Sequence, residues 1–216
     1  LPAAPTTVAG DFVMMMSAST TPAGPITVNG NANFGPNTSF NAGSSTHRVR
    51  GNFFNNSLTY NPDTSTVVLD GSAVQIVDGI VGGVFHNLTV DNASGILLTN
   101  HITVAGGGAG GLVLTNGNIT TGASTVIIKA TGAVNRTSGH VVGNLTKQIS
   151  TNGTVVRTYE VGTVSGYAPV DLVINGVTGS GTGGFQTLTV TTNAGDHPNL
   201  ATSGIDPAKS VNLHWV

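Results

Sequence analysis

Apolar residues recur along this chain in pairs one position apart, with turn residues between the pairs: Val67/Leu69, Val74/Ile76, Leu88/Val90, Ile96/Leu98, Ile102/Val104, Leu112/Leu114 and Val126/Ile128. Each pair reads as the inward side of one very short strand, because side chains alternate across a strand. A shift of 24 residues carries Leu88, Val90, Ile102 and Val104 onto Leu112, Leu114, Val126 and Ile128. A shift of 21 carries Val67 and Leu69 onto Leu88 and Val90. A period drifting between about 20 and 24 residues, with roughly three short strands in each, predicts a stacked β-solenoid.

From Ile26 the repeat is legible residue by residue. Ile26-Thr27-Val28-Asn29-Gly30, His47-Arg48-Val49-Arg50-Gly51 and Val67-Val68-Leu69-Asp70-Gly71 share one shape: inward, outward, inward, outward, Gly. The Gly is expected to allow a left-handed corner where the chain turns to its next face. Ser39-Phe40-Asn41 and Thr59-Tyr60-Asn61 occupy matching places between them. Residues 26–148 are thus expected to form the parallel β-helix. Residues 1–25 read as a lead-in and an N-terminal capping strand, Phe12-Val13-Met14-Met15-Met16, the most apolar short run of the chain. After Gln148 the spacing lengthens, and Val155–Val161, Pro169–Ile174, Phe185–Thr192 and Ser210–Val216 alternate between Gly/Asn/Ser clusters. Residues 149–216 are expected to form an antiparallel, β-sandwich-like module.

Composition narrows the surroundings. Charged residues make up 7%, apolar residues 38%, and Gly numbers 31. Alternating, β-branched apolar positions at that level argue for ordered strands and against a disordered chain. A net charge of −2 with scattered Lys and Arg makes nucleic acid an unlikely partner on its face, since phosphate neutralisation needs clustered cations. No apolar run approaches the roughly 18 residues of a membrane span. Leu1-Pro2-Ala3-Ala4 has neither a basic nor an apolar leader region, which reads as an already processed N-terminus of a secreted chain. With no Cys there is neither a disulfide framework nor a thiolate metal site. The Thr/Asn/Gly-rich, Lys-poor balance points to an extracellular or cell-surface location.

Candidate chemistry is sparse. The outward residues Asn29, Arg50, Asp70, Asp91 and Thr115 stack in the register, so Asp70 beside Asp91 is the one constellation that resembles a cation site or an acid/base pair. The competing reading has Arg50 neutralising Asp70, with Asp91 in water. The six His (His47, His86, His101, His140, His197, His214) show no ligand spacing, and His47 falls in an inward column with Ile26, Val67 and Leu88. Glu160, the sole Glu, reads as structural, and Asp196-His197 as a loop cap. Gly106 to Gly111 lacks the Lys-Ser/Thr of a phosphate loop and reads as a corner insertion. Asn-x-Ser/Thr sequons at Asn37, Asn55, Asn87, Asn92, Asn118, Asn135, Asn144 and Asn152 are what an Asn/Thr-rich chain produces by chance. Thr positions keep no single register, which argues against an ice-binding face. No catalytic, cofactor or metal residues are assigned, and the chain is read as a non-enzyme.

Arg48-Val49-Arg50-Gly51-Asn52-Phe53-Phe54-Asn55-Asn56, Val67-Val68-Leu69-Asp70-Gly71-Ser72-Ala73-Val74-Gln75-Ile76 and Phe85-His86-Asn87-Leu88-Thr89-Val90-Asp91-Asn92 resemble the repetitive β-helix region of large bacterial, Bacteroidetes-type, secreted and cell-surface adhesin-like proteins. Tyr159-Glu160-Val161-Gly162, Gly166-Tyr167-Ala168-Pro169-Val170 and Ser210-Val211-Asn212-Leu213-His214-Trp215 resemble segments that follow that region. The resemblance implies an all-β, right-handed parallel β-solenoid followed by a small β-sandwich-like module. It implies no activity. That family's C-terminal secretion domain is missing here, which reads as a fragment, a processed product or a differently exported relative. The expected function is that of an extracellular structural protein that self-assembles as a homo-oligomer or polymer into a filament, sheath or surface layer. The expected joints are Phe12, Val13, Met14, Met15 and Met16 at one end and Val211, Leu213 and Trp215 at the other. The alternatives are an adhesin stalk binding polysaccharide, and a β-helix polysaccharide-degrading enzyme built on Asp70 and Asp91.

Overall fold

A strand of three residues makes too few hydrogen bonds to persist alone and survives only by stacking on copies of itself. The computed structural model describes residues 4–80, 83–150, 153–176 and 185–216, and shows such a stack: a parallel β-solenoid of about 7 turns. The first face is built from Thr6–Val8, Ile26–Val28, Thr46–Val49, Thr66–Leu69, Asn87–Asp91, Leu112–Asn116 and Val134–Arg136, all parallel neighbours in that order. The second runs Phe12–Met14, Ala32–Phe34, Phe53–Asn55, Gln75–Asp78, Ile96–Leu98, then the opening residues of Ile119–Ile128 and Val141–Ser150, and ends at Val161–Thr163. The third begins as Ser19–Thr20, Ser39–Asn41 and Thr59–Asn61. It resumes in another sheet with Gly83–Phe85, Ile102–Val104 and the closing residues of the two ten-residue strands.

The register agrees with the apolar pattern. Leu88 and Val90 lie beside Leu112 and Leu114, Ile102 and Val104 beside Val126 and Ile128, and Val67 and Leu69 beside Leu88 and Val90. All of these are buried in one continuous core. In the early coils that core is aromatic. Phe34 lies 4.9 Å from Phe40 and 5.5 Å from Phe53 between ring centroids, and Phe40 stacks on Tyr60 at 5.7 Å. In later coils Leu, Ile and Val take over.

Three readings of the sequence need correcting. Within residues 1–25, expected as a lead-in and a capping strand, residues 6–20 already form a coil. Thr6–Val8, Phe12–Met14 and Ser19–Thr20 pair in parallel with Ile26–Val28, Ala32–Phe34 and Ser39–Asn41, so the first coil starts twenty residues before the repeat becomes visible. Thr6 and Thr20, which stand where the next coil has Ile26 and Phe40, hide its period. Second, Val74 and Ile76 are not inward. Gln75 and Val77 are buried instead, because the Gln75 amide serves the corner: it accepts the Gly71 N–H at 2.9 Å and donates to the Val49 carbonyl at 2.9 Å.

The third correction concerns Gly30, Gly51 and Gly71. None has a left-handed backbone. They are needed for closeness: a Cβ on Gly51 would sit 2.5 Å from the Gly30 carbonyl carbon, and one on Gly71 would sit 2.4 Å from the Arg50 oxygen. The adjacent column of Asp11, Asn31 and Asn52 locks the same corner. Each side-chain oxygen accepts a backbone N–H of the next coil, from Asn31 (2.7 Å), Asn52 (2.8 Å) and Ile76 (2.8 Å).

The antiparallel strands expected after Gln148 are present at Thr154–Tyr159, Val170–Asn175, Phe185–Val190, Thr192–Ala194 and Leu213–Trp215. They grow directly from the solenoid. Phe185–Val190 pairs antiparallel with Leu145 to Ser150, the last rung of the third face. Val161–Thr163 is the last rung of the second face and folds back onto Gly166–Tyr167. Thr154–Tyr159 pairs with Val170–Asn175, and Thr192–Ala194 with Leu213–Trp215.

The glycine column yields a direct comparison. Gly51→Ala is expected to cost about 1–3 kcal/mol through overpacking against the coil beneath. Gly10→Ala, whose Cβ meets nothing within 4 Å, should change stability by less than about 0.5 kcal/mol. Paired chemical-denaturation curves check both.

Candidate functional site

At the N-terminal end the rungs Thr6–Val8, Phe12–Met14 and Ser19–Thr20 each have a parallel neighbour on one side and, among the described residues, none on the other. Alternation along Phe12–Met14 divides the expected joint residues. Met14 is buried, and the Phe12 ring packs 5.9 Å from Phe34 and 6.2 Å from Phe40. Val13 is 51% exposed, Met15 70% and Met16 82%. The stretch read as a buried strand is thus half interior, half apolar surface. At the other end Val211 is exposed, Leu213 is half-buried, and the half-exposed Trp215 donates its indole N–H to the Ala168 carbonyl at 3.0 Å. Val211 and Leu213, with Tyr167 and Asn212, border a surface cleft of ≈ 310 Å³.

The outward column behaves as a charge-neutralising ladder. Arg50 donates to the Asn29 side chain at 2.8 Å, and Arg48 pairs with Asp70 at 2.8 Å. The second Asp70 oxygen is buried with no hydrogen-bond partner, and Arg50 Nε lies 3.9 Å away. Asp70 and Asp91 directly follow Leu69 and Val90, the last paired residues of their two rungs; Asp91 is exposed, and a register shift toward the following coil sets it opposite Asn116. Among the described residues no group of three or more His, Asp or Glu is placed to hold a metal ion.

His47 is interior, as its column predicts. Its Nδ1 accepts the Ile26 N–H at 3.2 Å, which leaves the proton on Nε2 to be donated to the Ala42 carbonyl at 2.8 Å. Burial holds its pKa below the usual histidine value, against the opposing pull of that carbonyl. His140 faces the Thr163 carbonyl at 2.8 Å. The sequon asparagines are mostly structural. Asn55 and Asn92 are buried, and Asn87, Asn118, Asn135 and Asn144 make side-chain bonds to backbone of another coil. Asn152 lies outside the described residues.

The one buried ion pair among the described residues was not anticipated. Lys147 stands in the inward column of the third face beside Ile128, in line with Val104 and Phe85, where the three preceding coils place an apolar side chain. Its ammonium meets Glu160 at 2.7 Å and donates to the Thr158 carbonyl at 2.6 Å, and it lies 5.6 Å from the Tyr159 ring centre. Burial lowers the Lys147 pKa and raises that of Glu160, in each case opposed by the partner's charge. The pair ties the Thr154–Tyr159 strand to the last third-face rung and borders a cleft of ≈ 380 Å³. The sequence signal was available: carrying Val126/Ile128 onto Leu145/Lys147 sets a cation at an inward position.

Comparison with known protein families, with curated proteins and with solved structures finds no match. The functional reading therefore rests on this geometry.

Two outcomes follow. His47 binds its proton more weakly folded than unfolded, so its contribution is complete above about pH 6.5 and is lost as pH falls through the lowered value. Stability measured from pH 7 to 5 should fall, with a smaller slope in His47→Gln. Lys147→Met and Glu160→Gln should each cost about 3–5 kcal/mol by stranding a buried partner, while Lys147→Met with Glu160→Leu should be near neutral or stabilising. A double-mutant cycle by urea unfolding separates these.

Proposed function

We propose that this chain is an extracellular structural protein, not an enzyme, whose copies join through β-strand contacts into a filament, sheath or surface layer. The observation that carries the reading is the parallel edge of the first coil, which has no further neighbour among the described residues and is flanked by exposed Val13, Met15 and Met16. Such an edge presents backbone donors and acceptors in strand register, and natural proteins usually shield it with charge, Pro or a covering segment. Here the flank is apolar, and the nearest carboxylate, Asp11, is occupied by Asn31. A chain with 7% charged residues adds little repulsion between copies. The opposite end of the solenoid is closed on two faces by antiparallel strands. The first face ends at Val134–Arg136, with no further neighbour among the described residues, and the side-chain surface around Val211, Leu213 and Trp215 is the joint expected at this end.

A second reading, a surface adhesin stalk that engages polysaccharide, draws on the half-exposed aromatics Tyr167 and Trp215 on either side of Ala168. One face of Tyr167 is already covered by the Arg136 guanidinium at 3.7 Å. The family resemblance belongs with this reading. It supports a bacterial cell-surface setting through the quoted motifs alone.

Light scattering and negative-stain electron microscopy on the chain at neutral pH test the first reading. Regular assemblies are expected, and Val13→Lys with Met15→Lys should disperse them while leaving the melting transition within a few degrees. A monodisperse monomer at high concentration would sink the assembly reading.

A further inference from the structure

Of the chain's seven Lys and Arg, three border the ≈ 380 Å³ cleft at the C-terminal end of the solenoid core: Lys129, Lys147 and Arg157. Its only bordering carboxylate is Glu160, already bound to Lys147. Among the described residues neither Lys129 nor Arg157 is paired with a carboxylate; the one bond of the Arg157 guanidinium is to the neighbouring Val156 carbonyl at 3.1 Å. Asp171, on the strand paired with Thr154–Tyr159, is engaged by the Thr158 hydroxyl at 2.6 Å. The cleft thus carries an excess of positive charge in a chain whose net charge is −2.

Its floor is built. Lys147 and Glu160 are both more than nine-tenths buried, and Gln148 is held by accepting the Ala130 N–H at 3.1 Å. An ammonium has three N–H donors. Glu160 and the Thr158 carbonyl take two of those on Lys147, leaving one for the cleft. Elsewhere this fold satisfies buried corners with neutral Asn, Gln, Ser and Thr, so a buried Lys at an inward position is a departure that its own repeat does not require. Perturbed ionisable groups bordering a cleft make it a candidate binding site. The volume falls within the roughly 300–1,000 Å³ of small-molecule sites.

We propose that this cleft binds an oxyanion, the carboxylate of an acidic saccharide or a free inorganic anion, between the Lys147 ammonium and the side chains of Lys129 and Arg157. The guanidinium fork suits a planar carboxylate, and Lys129 at the rim adds a screened, longer-range attraction. The site is separate from the assembly joints, so it stands or falls independently of the structural reading.

Isothermal titration of the whole chain with oligogalacturonate, its methyl ester and inorganic sulfate tests this. One site per chain is expected for oligogalacturonate, weakening with added salt, with no heat from the neutral ester. Lys129→Gln and Arg157→Gln, both outside the core, should each reduce affinity on the order of tenfold, as loss of one interfacial charge does, with unchanged melting. Sulfate binding as tightly as the oligomer, with the same losses, would assign the site to a free anion. No binding of either anion at millimolar concentration, or affinity unmoved in the Lys129→Gln/Arg157→Gln variant, would overturn the proposal.

Discussion

Everything in this fold depends on one coil lying directly on the next at the spacing of a β-sheet, about 4.8 Å. That separation leaves no room for a side chain between stacked corners. It is why Gly30, Gly51 and Gly71 occupy the turn from first to second face. It is also why Asp11, Asn31 and Asn52 stand beside them, since a short side chain can bridge one coil spacing and satisfy the N–H that the corner takes out of the ladder. Glycine sets the approach, and the Asx column supplies the missing bonds.

The same spacing explains the polar economy of the chain. Each inward column can be filled with whatever stacks on its own kind, aromatic in the early coils and aliphatic later. Each outward column can be neutral, because Asn, Ser and Thr bond along the stack without charge. Arg48 and Arg50 around Asp70 form the local exception on the first face. Lys147 and Glu160 form the other, at the end of the core, where the regular repeat gives way to antiparallel strands.

The two ends are chemically unlike. The N-terminal rungs keep the parallel direction of the stack and present it, with Val13, Met15 and Met16 alongside. The C-terminal rungs reverse direction and use up the edge on two faces. Among the described residues the stack thus ends differently on its two sides: in parallel rungs on all three faces at one end, and at the other with only Val134–Arg136 left without a further neighbour.

Period, strand length, all-β class and most inward positions were set by local sequence, because a buried strand must alternate and a stacked coil must repeat. His47 could be placed inside from its column alone. The first coil was not legible, since Thr6 and Thr20 fill positions that the next coil gives to Ile26 and Phe40. Nor was the one-residue slip at Gln75, where hydrogen bonding at the corner outweighs the exposure of Val74 and Ile76. The sequence pointed to glycine at the corners, but only the stack shows that contact with the coil beneath, and not backbone handedness, demands it. The Lys147–Glu160 pair and its cleft belong to tertiary structure. Thirteen positions separate the two residues, and local pattern carries no information about which partner a buried charge will meet.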